Sequence, residues 1–167
     1  MSNMMTKKFG IIGFGRVGKI HAKIFSSLNC ELCAVLAFSA EHLQHKSNYL
    51  KRNFCNDVLV TTSLDVFLSA KLDFVVIASN PNTHFHYLMR CFEASKPVFC
   101  EKPLIVGENI TDIHVMLSQL KLTESKFLVN TCNASYSDLI RLKYDVENIS
   151  FFHFLFHTNG ENKGSFI

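Results

Sequence analysis

Two short stretches of this 167-residue chain hold residues whose types and spacing could do chemistry. The first is a glycine loop, Gly13-Phe14-Gly15-Arg16-Val17-Gly18. In a GxGxxG spacing the first glycine permits a tight turn. The second lets backbone approach a pyrophosphate, and the third lets the next helix pack near the preceding strand. Free N–H groups at that helix start then face the diphosphate, whose negative charge the helix dipole favours. The second stretch is Glu101-Lys102-Pro103. A lysine between an acid and a proline, at a strand end facing a cleft, can polarise a carbonyl or donate a proton. A separate polar turn containing Ser79, Asn80, Pro81 and His84 suits a cofactor edge; Pro81 and Pro103 read equally well as plain turn residues, whereas Lys102 does not.

These residues need a scaffold that gathers them, and the pattern supplies one. Phe9 to Ile12 is a short apolar run leading into the glycine loop. A helix follows, with Val17, Ile20, Ile24 and Leu28 predicted on its apolar face. Strands are predicted at Cys33–Phe38, Val58–Thr61, Leu72–Ala78, Pro97–Cys100 and Phe127–Thr131. Between them lie a polar helix from Glu41 to Asn53, a brief helix capped by Ser63 and running to Leu68, and a helix carrying Phe85, Leu88, Met89 and Phe92. A further helix places Ile110, Ile113, Leu117 and Leu120 together. Near-continuous apolar strands alternating with amphipathic helices predict an α/β fold, a doubly wound parallel sheet covered on both sides. Ligands bind such sheets at the carboxyl ends of the strands, where the glycine loop and the turns after Ala78 and Cys100 should converge.

Composition narrows the function. At 48% hydrophobic and 19% charged, the chain can build one complete domain of roughly 100–150 residues plus a remainder. Its net charge of +3 is mild and its cations are scattered, which argues against a nucleic-acid partner. No apolar run has signal-peptide or bilayer-spanning character, so the expected location is cytoplasmic, with no membrane partner. Six cysteines without a secretory signal do not suggest a disulfide framework. Cys30-x-x-Cys33 falls on an expected strand, where residues three apart point to opposite faces and cannot readily share a metal. His84-x-His86, His42-x-x-His45 and His153-x-x-x-His157 lack a Cys or carboxylate partner set, so no metal site is expected.

Three stretches taken together resemble one family. Gly13-Phe-Gly-Arg-Val-Gly18, Asp73-Phe-Val-Val-Ile-Ala-Ser-Asn-Pro-Asn-Thr-His84 and Lys96-Pro-Val-Phe-Cys-Glu-Lys-Pro103 are similar, in order and spacing, to the N-terminal signatures of the Gfo/Idh/MocA oxidoreductases. The resemblance covers residues 8 to about 133 and thins afterwards. It implies a Rossmann domain at residues 1–133 that binds NAD or NADP. It also implies hydride transfer to or from a small-molecule substrate, a sugar, cyclitol or related alcohol. By the same resemblance Glu101 and Lys102 match the family's Glu-Lys-Pro motif, with Lys102 near the nicotinamide and the substrate hydroxyl. His84 matches the histidine closing the turn after the fourth strand.

Departures from the family pattern bear on function. Relatives often place an Asp at the end of the second strand for the adenosine ribose, or an Arg for a 2′-phosphate. Ala37 and Phe38 offer neither, so NAD and NADP both stay open. Asn133-Ala134-Ser135-Tyr136 stands where relatives often carry Arg followed by Pro. Residues 134–167 are expected to be only the start of a second α/β domain, with a helix near Ser135–Tyr144 and a strand near Ile149–His157. That strand is apolar on both faces and is expected to pair with another copy of the chain. The downstream Asp and His of relatives are not expected among these residues. The expectation is therefore an NAD(P)-binding oxidoreductase, incomplete and weakly active or inactive in these residues. The alternative is a non-catalytic dinucleotide-binding module or degenerate gene fragment.

Overall fold

The computed structural model describes residues 6–54, 58–104, 106, 110–123 and 126–130. Within them the chain alternates β1 (Lys7–Ile12), α1 (Arg16–Ser27), β2 (Cys30–Leu36), α2 (Glu41–Asn53), β3 (Leu59–Thr61) and α3 (Leu64–Ser69). It continues through β4 (Phe74–Ile77), a 3₁₀ turn (Pro81–Thr83), α4 (His84–Glu93), β5 (Val98–Cys100), α5 (Ile110–Thr123) and β6 (Phe127–Val129). The six strands form one sheet in the order β3-β2-β1-β4-β5-β6, and every neighbouring pair is parallel. The expected doubly wound sheet is present, because parallel neighbours need helical crossovers and those crossovers cover both faces.

Beyond Lys7, Lys8 and Glu31 near their starts, β1 and β2 are apolar, as are β4 and β5, because successive side chains enter different cores. Ile12, Ala34, Leu36, Val75 and Ile77 pack with Phe67, Leu88, Cys91 and Phe92. Phe9, Ile11, Val35 and Val76 point the other way and pack with Phe14, Ala22 and Leu50. Several expected elements recur closely. Glu41–Asn53 is a helix over its full expected length, and Ser63 caps α3 by accepting a hydrogen bond from the Val66 N–H at 3.3 Å.

Two helix faces differ from expectation. On α1 the buried residues are Gly18, His21 and Ala22, while Ile20, Ile24 and Leu28 are exposed. The contact with the sheet is fixed at Gly18, where a Cβ would lie 2.1 Å from the Gly13 carbonyl oxygen. So close an approach leaves no room for a side chain at position 18, and the helix meets the sheet along Gly18, His21 and Ala22. On α5 it is Met116 that is buried, and Ile113 and Leu117 are exposed. Strand β2 also stops at Leu36, earlier than expected, and leaves Phe38 85% exposed. The expected helix at Ser135–Tyr144, the strand at Ile149–His157 and its pairing lie outside the described residues, as do Asn133 to Tyr136.

Candidate functional site

A row of hydrogen bonds runs across the carboxyl ends of the strands. The Ala37 N–H donates to Thr61 O at 2.8 Å, Gly13 to Leu36 O at 3.4 Å and Ala78 to Ile12 O at 2.8 Å. Glu101 donates to Ile77 O and Asn130 to Cys100 O, both at 2.8 Å. The parallel register thus sets the end of β2, the glycine loop, and the turns after β4, β5 and β6 side by side.

The glycine loop is closed on two sides and open on one. Gly13 has φ +89°, and a Cβ there would meet the Ser79 backbone at 2.5 Å, so loop and β4 turn are pressed together. Gly18 is equally confined, against Gly13 itself. A Cβ on Gly15 would meet nothing within 4 Å beyond its chain neighbours. Gly15 also caps α1 without any side-chain hydrogen bond, and the first turn of α1 contains no acid. Open space beside uncapped N–H groups at the positive end of a twelve-residue helix fits a pyrophosphate. Arg16 is exposed and Val17 half-buried beside it. Phe14 turns its ring into the core against Tyr49, 5.9 Å between centroids, leaving only its backbone toward the loop.

The turns after β4 and β5 are locked together by side chains. His84 is fully buried, with Nδ1 2.8 Å from Pro103 O and Nε2 3.2 Å from Ser79 O. A neutral imidazole has one N–H, so it donates to one of these carbonyls at a time. Ser79 Oγ pairs with Thr83 Oγ1 at 2.8 Å, and Asn80 Oδ1 accepts from the Asn82 N–H at 3.1 Å. The polar side chains of this turn therefore shape it, with Asn80 exposed and Pro81 half-buried. The Lys102–Pro103 peptide is cis.

Glu101 is the hub of the other turn. Its Oε1 accepts from His21 Nε2 at 2.5 Å and from Asn130 Nδ2 at 2.6 Å, and its Oε2 accepts from the Lys102 N–H at 3.3 Å. Burial pushes this carboxyl up. The hydrogen bonds from Asn130 and His21, the charge of His21 and the Lys102 N–H more than offset that, holding it below the ordinary carboxylate range. Lys102 itself is exposed at the mouth. Glu101 thus ties α1 and the ends of β5 and β6 together next to the lysine. The sequence reading missed His21 and Asn130. A histidine three residues after Gly18, on the small-residue side of α1, was the available signal for the first.

The cysteines near this site are thiols of low reactivity. Burial pushes both Cys91 and Cys100 up to about 12, helped by each one's neighbouring acidic group, Cys100 for the first and Glu101 for the second. Cys30 and Cys33 lie together on β2 and are in no disulfide. Among the described residues no group of three His, Cys, Asp or Glu could hold a metal, and no helix is long and apolar enough to cross a membrane.

A parallel sheet in this order, with a glycine loop between β1 and α1, defines a dinucleotide-binding α/β domain. Residues 7–131 match the oxidoreductase family with an NAD-binding Rossmann fold, GFO_IDH_MocA, and the chain belongs to that family. It is 26% identical over 141 residues to the myo-inositol 2-dehydrogenase of Thermotoga maritima, covering 84% of this chain and 41% of that protein. It is 29% identical over 126 residues to the inositol 2-dehydrogenase of Rhizobium meliloti, covering 75% and 36%. The fold is shared with the scyllo-inositol dehydrogenase of Lactobacillus casei, solved with NAD(H) and scyllo-inositol. There the TM-score is 0.68 at 24% identity, over 83% of this chain and 41% of that one. The chain spans about two fifths of the length of these curated relatives.

Proposed function

We propose that the chain holds a nicotinamide dinucleotide with its pyrophosphate over Gly13 to Gly18. In this reading the β4 turn at Ser79 to Pro81 lines its edge, and Lys102 stands at the reacting end. The reaction class is hydride transfer between the dinucleotide and a sugar, cyclitol or related alcohol, the class of the curated inositol dehydrogenase relatives. The bound nicotinamide would supply the hydride acceptor or donor. Lys102 would hydrogen-bond the substrate oxygen and, in the reductive direction, give it a proton. Glu101, held by His21 and Asn130, would keep that lysine's backbone in place, and His84 would hold the two turns in register. General acid–base help of this kind is worth ~10²–10⁴-fold in rate.

The observation that carries the reading is the contrast within the glycine loop. Gly13 and Gly18 are confined by protein, whereas Gly15 faces open space at the start of α1. A Gly15→Val chain should therefore keep the fold and lose the ligand. Calorimetric titration with NADH and NADPH should give binding in the parent chain and none in Gly15→Val, with matching circular dichroism. Equal affinity in both would overturn the assignment. Any turnover of inositols or sugars should vanish in Lys102→Ala while dinucleotide affinity stays. Turnover unchanged in that variant would remove Lys102 from its role.

A further inference from the structure

The end of the cleft away from Lys102 carries charge that the reading above leaves unused. A groove beside the glycine loop is lined by Gly13, Ala37, Phe38, Lys46, Ser79 and Tyr87, among others. It therefore joins the end of β2 to the loop that would hold the pyrophosphate, which is where the adenosine ribose of a dinucleotide lies. No carboxylate lines this groove. The acid that would accept hydrogen bonds from a free ribose 2′-hydroxyl is replaced by Ala37-Phe38-Ser39, and the nearest acid in sequence, Glu41, is exposed in the first turn of α2.

What the groove does have is cation. Lys46 lines it from α2 and is half-buried. One turn further along α2, Tyr49 carries the Lys19 ammonium over its ring at 4.3 Å. Among the described residues neither lysine is in an ion pair with a carboxylate. Lys19, on α1, is a like charge near Lys46, and a bound anion would offset their repulsion.

Resting on the dinucleotide reading, we infer that this groove takes the 2′-phosphate of an NADP(H) ribose, with Lys46 as its specificity-determining residue. Lys19 reinforces it from α1. The phosphate's near-double negative charge suits a groove lined by Lys46 and no acid, with Lys19 held over the neighbouring Tyr49 ring, and an unphosphorylated ribose would leave the Lys46 ammonium without an anion. Burial, with the neighbouring Lys19, pushes the Lys46 ammonium below the usual lysine range, a shift that a bound anion reverses. The family's fold is NAD-binding; at this one position the side chains favour the phosphorylated cofactor.

The test is fluorescence titration of the full chain with NADPH and NADH, in the parent and in Lys46→Ala. The expected result is NADPH binding at least roughly tenfold tighter than NADH in the parent, the preference being lost in Lys46→Ala with NADH affinity unchanged. Competition adds a second arm. 2′,5′-ADP should displace NADPH better than 5′-ADP, and inorganic phosphate should not displace it at the same concentration. Equal affinities, a preference for NADH, or a Lys46→Ala loss shared by both cofactors would overturn the inference while leaving dinucleotide binding intact. Displacement by inorganic phosphate as effective as by 2′,5′-ADP would reduce the lysines to a bare anion site and also overturn it. Binding of neither cofactor by a folded chain would overturn the dinucleotide reading itself.

Discussion

The two ends of the strand mouth are built on opposite principles. Under Lys102 nearly every polar group is spoken for: Glu101 accepts three hydrogen bonds, and His84 bridges two turns from a fully buried position. At the end of β2 the groove is half open, with Phe38 bare and two lysines unmatched by any acid among the described residues. The first end fixes geometry before a ligand arrives, as positioning for chemistry demands. The second leaves charge and apolar surface exposed that only a ligand would satisfy. On the proposed reading, rigidity would serve alignment at Lys102 and the unmatched charge would serve selectivity at the end of β2.

Substitutions in the glycine loop should break the locked end most severely. A Cβ at Gly18 would sit 2.1 Å from the Gly13 carbonyl oxygen, a backbone atom that cannot move without dragging β1. Gly18→Ala should therefore lose about 3 kcal/mol of stability, the upper range for overpacking. Gly15→Ala, facing open space, should stay within about 0.5 kcal/mol of the parent. Urea midpoints measured side by side decide this. Equal midpoints would mean that helix and loop do not approach as closely as described, and the contrast between closed and open positions would go.

The next effect is at Glu101. Glu101→Gln forces an amide to face the donors of His21 and Asn130, and should cost about 1–3 kcal/mol at neutral pH. The folded carboxyl titrates below its unfolded value, so its contribution is complete above about pH 4.3 and fades as pH falls through the lower, folded value. The stability gap between parent and Glu101→Gln should be flat from about pH 7 to pH 5 and close below about pH 4. A gap that persists unchanged to pH 3 would show that the carboxylate's charge is not what holds the turn.

How much of this was legible in the sequence follows the same division. The glycine loop, the polar helix from Glu41 to Asn53 and the Ser63 cap are local signals, encoded by residues a few positions apart, and they survive folding. The buried face of α1 differs from the pattern because large aliphatic residues outweigh Gly18, His21 and Ala22 in the sequence, while the close approach at Gly18 sets that face against the sheet. The Glu101 hub joins His21 to a carboxylate 80 residues later, and no periodicity carries that pairing. Lys46 was visible only as one cation of a polar helix; which side chain of α2 turns toward β2 is decided by the packing of Leu50 and Tyr49 beneath it.

The smallest effect is expected at the open end, and it separates shape from charge. Phe38 is 85% exposed at the lip of the groove, so Phe38→Ala removes almost no buried surface and should leave stability within about 0.5 kcal/mol of the parent. Its ring nevertheless offers a flat apolar face, and in the proposed reading the adenine of a bound dinucleotide would pass there. Base–aromatic stacking is worth about 1–3 kcal/mol by alanine substitution, and a ring open to water on its far side belongs at the low end. Dinucleotide affinity should then weaken by roughly fivefold. Because adenine is common to both cofactors, NADH and NADPH should weaken together, whereas loss of Lys46 should act on NADPH alone. Thermal denaturation and titration of Phe38→Ala with each cofactor would read both quantities. A weakening confined to NADPH would place the 2′-phosphate against Phe38 instead of Lys46, and unchanged affinity for both would put the adenine elsewhere.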